Sequence, residues 1–253
     1  MKRILVTNDD GVHSEGIRAL ANALRPLGEV TVVAPLTEAS AIGHALTLRR
    51  PLRLETLSER VHAVDGTPTD CVNIAITSVL RGMPDLVVSG INKGWNLGDD
   101  VTYSGTVSGA FEAALLGAPG IAVSLQRTPG AFDFAESARA AFLVAQSVLA
   151  KGLPSRIFLN INVPTGTTKG FKVTVQAKRN HITKVNERTD PRGQKYFWIE
   201  EGQDEWEPHD RSDFQAVRDG YVSITPLQPD LTAYSIIPAN EEFPFTVEAA
   251  SQA

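Results

Sequence analysis

The feature that most constrains the fold is a series of short apolar runs, each stopped by polar residues and most followed by apolar residues at helical spacing. Leu86-Val87-Val88 has no polar alternation, which suits a strand covered on both faces rather than one with a wet side. Arg3 to Thr7 reads as a first strand. Ser14 then supplies an N-cap ahead of Ile17, Leu20, Ala21 and Leu24, which recur on one helical face. Val30 to Ala34, stopped by Pro35, and Asp85 to Ser89 are further strands, and between them Thr69 to Leu80 carries Val72, Ile76, Val79 and Leu80 at helical spacing. Thr106 to Leu116 and Phe134 to Ala150 read as helices, Ile121 to Leu125 and Ile157 to Val163 as strands. This βαβαβ order predicts an α/β protein built on a doubly wound, mostly parallel sheet between two layers of helices.

From about Lys178 to Asp219 the texture changes. Charges dominate, Pro191-Arg192-Gly193 marks a turn, and Tyr196-Phe197-Trp198-Ile199 is an isolated aromatic run. The stretch is read as a protruding C-terminal β-hairpin arm that packs on another subunit, because a lone hairpin buries little apolar area by itself. The alternative is an excursion folded back on its own domain. Gly220 to Pro226 alternates as a strand returning to the body. The expected organisation is therefore a core over residues 1–177, an arm over 178–219, and a return strand with a C-terminal segment over 220–253.

A net charge of -5 and a pI near 5.6 argue against a stable complex with nucleic acid, which needs clustered Lys and Arg. A small anionic substrate remains compatible if a cation offsets its charge. The single Cys71 cannot form an internal disulfide, which fits a reducing cytoplasm. No stretch approaches the roughly 20 apolar residues of a membrane helix, and the first apolar run stops at Asn8, too early for a signal peptide.

In open α/β sheets, ligands gather beyond the carboxyl ends of the strands, and there this chain is polar. Asn8-Asp9-Asp10-Gly11 follows the first strand, a loop containing Ser40 follows the second, and Ser89-Gly90-Ile91-Asn92 follows the third. Adjacent carboxylates repel unless a cation sits between them or one holds a proton. Asp9, Asp10, the Ser40 hydroxyl and the Asn92 amide oxygen form an all-oxygen set of the type that hard divalent cations favour. Taken singly, Asp-Asp-Gly is equally an Asx-turn or capping loop, and Ser40 and Asn92 are equally loop residues. Ser104, Gly105 and Thr106 precede a helix, where backbone N–H groups cradle anions; a plain N-cap is the alternative. Asn96 could add an amide donor. His44 could donate to a phosphate or a leaving oxygen, or be a loop histidine with no role.

Taken in order, Ile4 to Gly11, Ala34-Pro35 followed by Ser40, Gly66 to Val72, Ser89 to Asn92, Asn96-Leu97-Gly98, Tyr103 to Val107, Leu159 to Pro164 and Gly220 to Leu227 resemble the SurE (survival protein E) family. The resemblance implies a Rossmann-like, three-layer fold and a metal-dependent phosphomonoesterase acting on nucleoside 5'- and 3'-monophosphates. It further implies one divalent cation per subunit (Mg2+, Mn2+ or Co2+) held by Asp9, Asp10, Ser40 and Asn92, with Asn96, Ser104, Gly105 and Thr106 around the substrate. Asp9 and Asp10 would also be the catalytic carboxylates. It implies a homodimer or homotetramer formed by exchange of C-terminal elements. Leu36 and Trp95 depart from the family pattern, standing where an acidic residue and Pro are common.

The expected chemistry is metal-assisted attack of water on a phosphate monoester. A nucleotide-binding regulatory module on the same fold is the rival from another class. A dinucleotide-dependent oxidoreductase would need Gly-x-Gly-x-x-Gly where Asp9 and Asp10 stand, and a haloacid-dehalogenase-type site would need Asp-x-Asp.

Overall fold

A computed structural model of the protein describes residues 1–128 and 130–237. Residues 238–253, the end of the expected C-terminal segment, lie outside the described residues.

The body is a nine-stranded sheet in the order β3-β4-β2-β1-β5-β6-β7-β11-β8. Its strands are β1 (Arg3–Thr7), β2 (Glu29–Pro35), β3 (Leu54–Ser58), β4 (Val61–Val64), β5 (Leu86–Lys93), β6 (Gly120–Leu125), β7 (Phe158–Val163), β8 (Phe171–Val173) and β11 (Val222–Leu227). The six from β4 to β7 are mutually parallel. Strand β3 runs antiparallel to β4, and β11 runs antiparallel to β7 but parallel to β8. Chain order reverses between β1 and β5, so the crevice at their carboxyl ends is the topological switch point.

Parity within β1 builds the two faces. Ile4 and Val6 pack with α1 (Glu15–Leu24) and α4 (Ala135–Lys151), while Leu5 points the other way with Val33, Val64 and Val87 under α2 (Pro68–Ile74). Because helices cover both faces, a polar residue has no dry-side alternative, which is why these runs read as continuously apolar. The helix α3 (Gly105–Leu116) sits on β5, β6 and β7 on the α2 side. It lies unusually close to the sheet. A Cβ on Gly109 would fall 2.8 Å from Ser89 Oγ and 2.9 Å from Thr7 Cγ2, so only a residue without a side chain lets the helix seat there.

The sequence reading differs from the fold in several places. The third strand does not stop at Ser89 but runs to Lys93, with a register shift between Gly90 and Asn92 against β6. Asn92 therefore stands on the strand end rather than in a loop. The helix expected over Thr69 to Leu80 is α-helical only to Ile74 and continues as a wider π turn over Ala75–Val79. Strands β3 and β4 carry too short or too exposed an apolar pattern to be read beforehand.

The expected arm contains β9 (Arg179–Thr189) and β10 (Lys195–Trp206), which pair only with each other. Its ladder ends at Trp206. The stretch after it forms α5 (Asp213–Arg218), whose Ala216 and Val217 are buried against the body. Val185, Phe197, Trp198 and Ile199 on the hairpin are exposed. Among the described residues no helix is long and apolar enough to cross a membrane.

Leu20, fully buried between α1 and the sheet, contrasts with Leu48, 84% exposed. Leu20→Ala should cost about 2–5 kcal/mol through lost burial and an unfilled cavity, and Leu48→Ala less than about 0.5 kcal/mol. Urea unfolding of both variants measures the difference.

Candidate functional site

The site begins where β1 ends. Asn8 is buried, and its amide Nδ2 donates to Gly11 O (3.0 Å) and Ser14 Oγ (2.8 Å), folding the turn that carries Asp9 and Asp10 across the sheet edge. The loop after β2 is stitched to that turn by Val12 N to Pro35 O (2.8 Å) and Ala39 N to Asp9 O (2.8 Å). It is tied to the segment before α3 by Gly43 N to Tyr103 O (3.0 Å). Three chain segments, distant in sequence, thus converge on one edge.

Asp9 is 5% exposed. The first turn of α3 comes so close that a Cβ on Gly105 would lie 2.8 Å from Asp9 Cβ and 2.9 Å from its Oδ2. The Thr106 hydroxyl donates a short hydrogen bond to Asp9 Oδ1. Ser104 caps the helix, accepting from Val107 N at 3.1 Å. The positive end of the helix dipole therefore faces a carboxylate, an arrangement that also suits a bound anion.

Burial pushes the Asp9 carboxyl up to about 6; the Thr106 hydroxyl opposes the rise and the Asp10 charge adds to it. Burial raises Asp10 as well, with Lys93 opposing and the Glu38 charge adding. Two groups of like charge, both held above their usual range, constitute an unresolved electrostatic debt in the polypeptide alone.

The donor set fits a hard divalent cation. Asp10 Oδ2 is buried with no hydrogen-bond partner, an acceptor left unsatisfied by the protein. Asn92 Nδ2 donates to Gly94 O (3.0 Å), which commits its NH2 end to the backbone and leaves the carbonyl end for a ligand. Ser40 is exposed, and its hydroxyl bonds Glu38 Oε1 at 2.5 Å. No group of three His, Cys, Asp or Glu side chains suited to a metal occurs among the described residues; the set is two carboxylates with an amide and a hydroxyl, matched to oxygen-seeking ions rather than to zinc.

Asp9, Asp10, Ser40, Asn92, Asn96 and Ser104 all line one cleft of about 920 Å³. Thr106 lies behind Asp9, fully buried, and its hydroxyl proton is spent on that carboxylate. His44 does not line the cleft. Its Nε2 is 2.6 Å from Glu112 Oε2, and its ring packs 4.5 Å from Phe111, so it fastens the Ser40 loop to α3. The Gly66–Asp70 turn is a capping box: Thr67 and Asp70 bond each other's backbone N–H groups, and Asp70 also holds Thr47. Cys71 is buried, and burial pushes its thiol well up, out of the range of thiol chemistry.

Other cleft residues escaped the sequence reading. Lys93 follows Asn92 directly. Arg127 and Arg179 add positive charge, and Trp206, stacked 4.4 Å from Phe214, forms the far wall. Arg179 pairs Asp100 through Nη1 at 2.7 and 2.8 Å. Only three-dimensional closure brings the root of the hairpin to this wall; a sequence separation of 79 residues gives no local signal.

The carboxyl strain predicts a trade-off. Asp9 loses its proton near the ordinary carboxylate value of 3.8 when unfolded, but burial pushes it up to about 6 when folded. In cation-free protein, its contribution to stability is thus intact below 3.8 and is lost as pH rises through about 6. Asp9→Asn should raise the stability of chelator-treated protein near neutral pH by about 1–3 kcal/mol, with the gain shrinking toward pH 4. Thermal unfolding across that range checks it.

Comparison with known proteins gives the family. The sequence model described as "Survival protein SurE" matches residues 4–183. The chain is 55% identical over 235 residues to the 5'-nucleotidase SurE of Pelobacter propionicus, covering 92% of this chain and 95% of that protein. It is 49% identical to the 5'-nucleotidase SurE 1 of Thermus thermophilus, covering 94% and 96%. The crystal structure of the SurE protein from Aquifex aeolicus superposes with a TM-score of 0.83 at 43% identity, over 93% of this chain and 96% of that one. With a family match over residues 4–183, relatives matched over nearly their whole length and a shared fold, this protein belongs to the SurE family.

Proposed function

We propose that the protein is a divalent-cation-dependent nucleotidase that hydrolyses nucleoside 5'-monophosphates, and 3'-monophosphates as well, to nucleoside and inorganic phosphate. The observation that carries this reading is the pairing of two strained carboxylates, one with an unpartnered buried oxygen, against the N-terminus of α3 inside a single cleft. Its volume of about 920 Å³ suits a mononucleotide. Relatives named as 5'-nucleotidases support the substrate class.

Asp9, Asp10, Ser40 and Asn92 would hold one cation per chain, Mg2+, Mn2+ or Co2+, which when bound neutralises phosphate charge and acidifies water. The protein's own groups do the rest. The Thr106 hydroxyl locks Asp9 in one orientation. Asp10 is the more open carboxylate and keeps one oxygen unpartnered, so it is the one that orients the attacking water. Water adds to phosphorus as the ester P–O bond breaks, and the nucleoside oxygen departs as a hydroxyl with the proton that the water gives up. The Ser104 hydroxyl and the α3 backbone N–H groups receive charge that develops on the phosphoryl oxygens. Lys93 and Arg127 line the cleft and draw an anionic substrate into a protein of net charge -5.

The remaining parts of the reading concern surroundings. Residues 1–177 act as the catalytic core and the hairpin within 178–219 as an arm exchanged between copies in a homodimer or homotetramer, its exposed Phe197, Trp198 and Ile199 suiting an apolar partner face. The working compartment is the cytoplasm, and the substrate is a small molecule rather than a nucleic acid.

Asp9→Asn and Asp10→Asn should each lower phosphate release from AMP with Mn2+ by about 100-fold or more, in variants that retain their circular dichroism. Chelator should abolish turnover and added Mn2+ restore it. Near-wild-type turnover in both variants, or turnover indifferent to chelator, overturns the proposal.

A further inference from the structure

Strand β7 is buried along its entire length, yet it carries two amides. Asn160 and Asn162 are each 0% exposed in the sheet interior, on the face that also presents Phe158 to α3. An apolar residue would suit a central strand better, since a buried amide loses its hydration and must recover it from the protein. Both recover it from one residue. Asn162 Oδ1 accepts from the Asn96 backbone N–H (2.8 Å), and the Nδ2 groups of Asn160 and Asn162 donate to Asn96 O at 2.8 and 3.0 Å. The Asn96 side chain is fixed too, its Nδ2 donating to Ser124 Oγ at 2.7 Å.

Asn96 lies in the segment that connects the end of β5 at Lys93 to the cap of α3 at Ser104 and forms one side of the cleft. From Gly94 to Ser104 the backbone forms no strand and so takes no place in a ladder. The two amides take the place of a neighbouring strand, gripping both polar groups of a single peptide position. The grip is not complete for its makers: Asn160 Oδ1 is left buried without a partner.

Resting on the nucleotidase reading above, we propose that Asn160 and Asn162 are positioning residues for the hydrolysis. They set the height of the Asn96 segment over the Asp9–Asp10 pair, so that Asn96 meets the phosphate in the transition state. Neither residue touches the reacting atoms; both act through Asn96.

The test uses the full-length protein with AMP and Mn2+, comparing Asn160→Leu, Asn162→Leu, the double variant and Ser124→Ala. Asn162→Leu, which removes the bond to the Asn96 N–H, should lower kcat about 10-fold or more with KM changed less than about 3-fold. Its melting temperature should stay within a few degrees of wild type, and its Mn2+ affinity within about 3-fold by equilibrium dialysis. The double variant should be less impaired than the product of the two single effects, because both amides donate to the same Asn96 carbonyl oxygen. Independently of activity, the Asn96 amide should lose hydrogen-exchange protection in Asn162→Leu. Unchanged kcat in both single variants, retained protection at Asn96, or a kcat loss that merely follows a falling melting temperature overturns the proposal. Failure of the nucleotidase reading is a different result: wild-type protein that releases no phosphate at all, with Asn96 protection still lost in the variant.

Discussion

Two carboxylates on consecutive residues, at the mouth of a sheet and largely out of water, are the constraint around which the rest of the molecule is arranged. Each ionised form is opposed by lost hydration, and each charge opposes the other. The polypeptide relieves the conflict only in part, with one hydroxyl from Thr106, the positive end of α3 and the Lys93 charge beyond. What it leaves undone defines what must be supplied: positive charge with several empty coordination positions, offered oxygen ligands alone. The proposed cation, and a phosphate monoester beside it, follow from that deficit.

Holding the deficit in place requires close approach. Gly105 and Gly109 bring α3 down onto Asp9, Thr7 and Ser89 at separations that any side chain would block. The β2 loop is pinned at Asp9 O and Tyr103 O, and again by the His44–Glu112 contact. On the other flank the segment from Asn92 to Ser104 is gripped at Asn96 from β7, and at Gly98 by Asp213 Oδ2 (3.0 Å), a buried carboxylate that burial pushes above its usual range. Costly buried polar groups therefore gather around the cleft, Asn8, Asp9, Asn96, Asn160, Asn162 and Asp213 among them. A stability optimum would not distribute them so; a site that must be rigid would.

How much of this could be read in the chain follows from the range of the interactions. The parallel layers were legible because Leu86-Val87-Val88 and its counterparts carry a pattern that only double-sided burial explains, and the switch point follows from strand ends rich in Asp, Asn and Ser. Strand β4 was not legible: four residues including His62 carry no pattern distinguishable from a loop. The extension of β5 to Lys93 was missed because Gly90 punctuates the sequence there, although the strand continues past it. His44 illustrates the limit of chemistry read by residue type. A histidine near Ser40 suggested a phosphate donor, but its partner, Glu112, lies 68 residues away on the buried side of α3. Asn160 and Asn162 fall within Leu159 to Pro164, where nothing local says that both serve Asn96.

Whether the Asp9–Asp10 pair holds a divalent ion with Ser40 and Asn92, as proposed, is read most directly by anomalous diffraction from crystals soaked in Mn2+. One strong peak per chain is expected, about 2.0–2.6 Å from carboxylate oxygens of Asp9 and Asp10 and near the Asn92 carbonyl and the Ser40 hydroxyl. Crystals that bind no Mn2+ between these residues, or that concentrate it at another place, would show that the pair serves some other end.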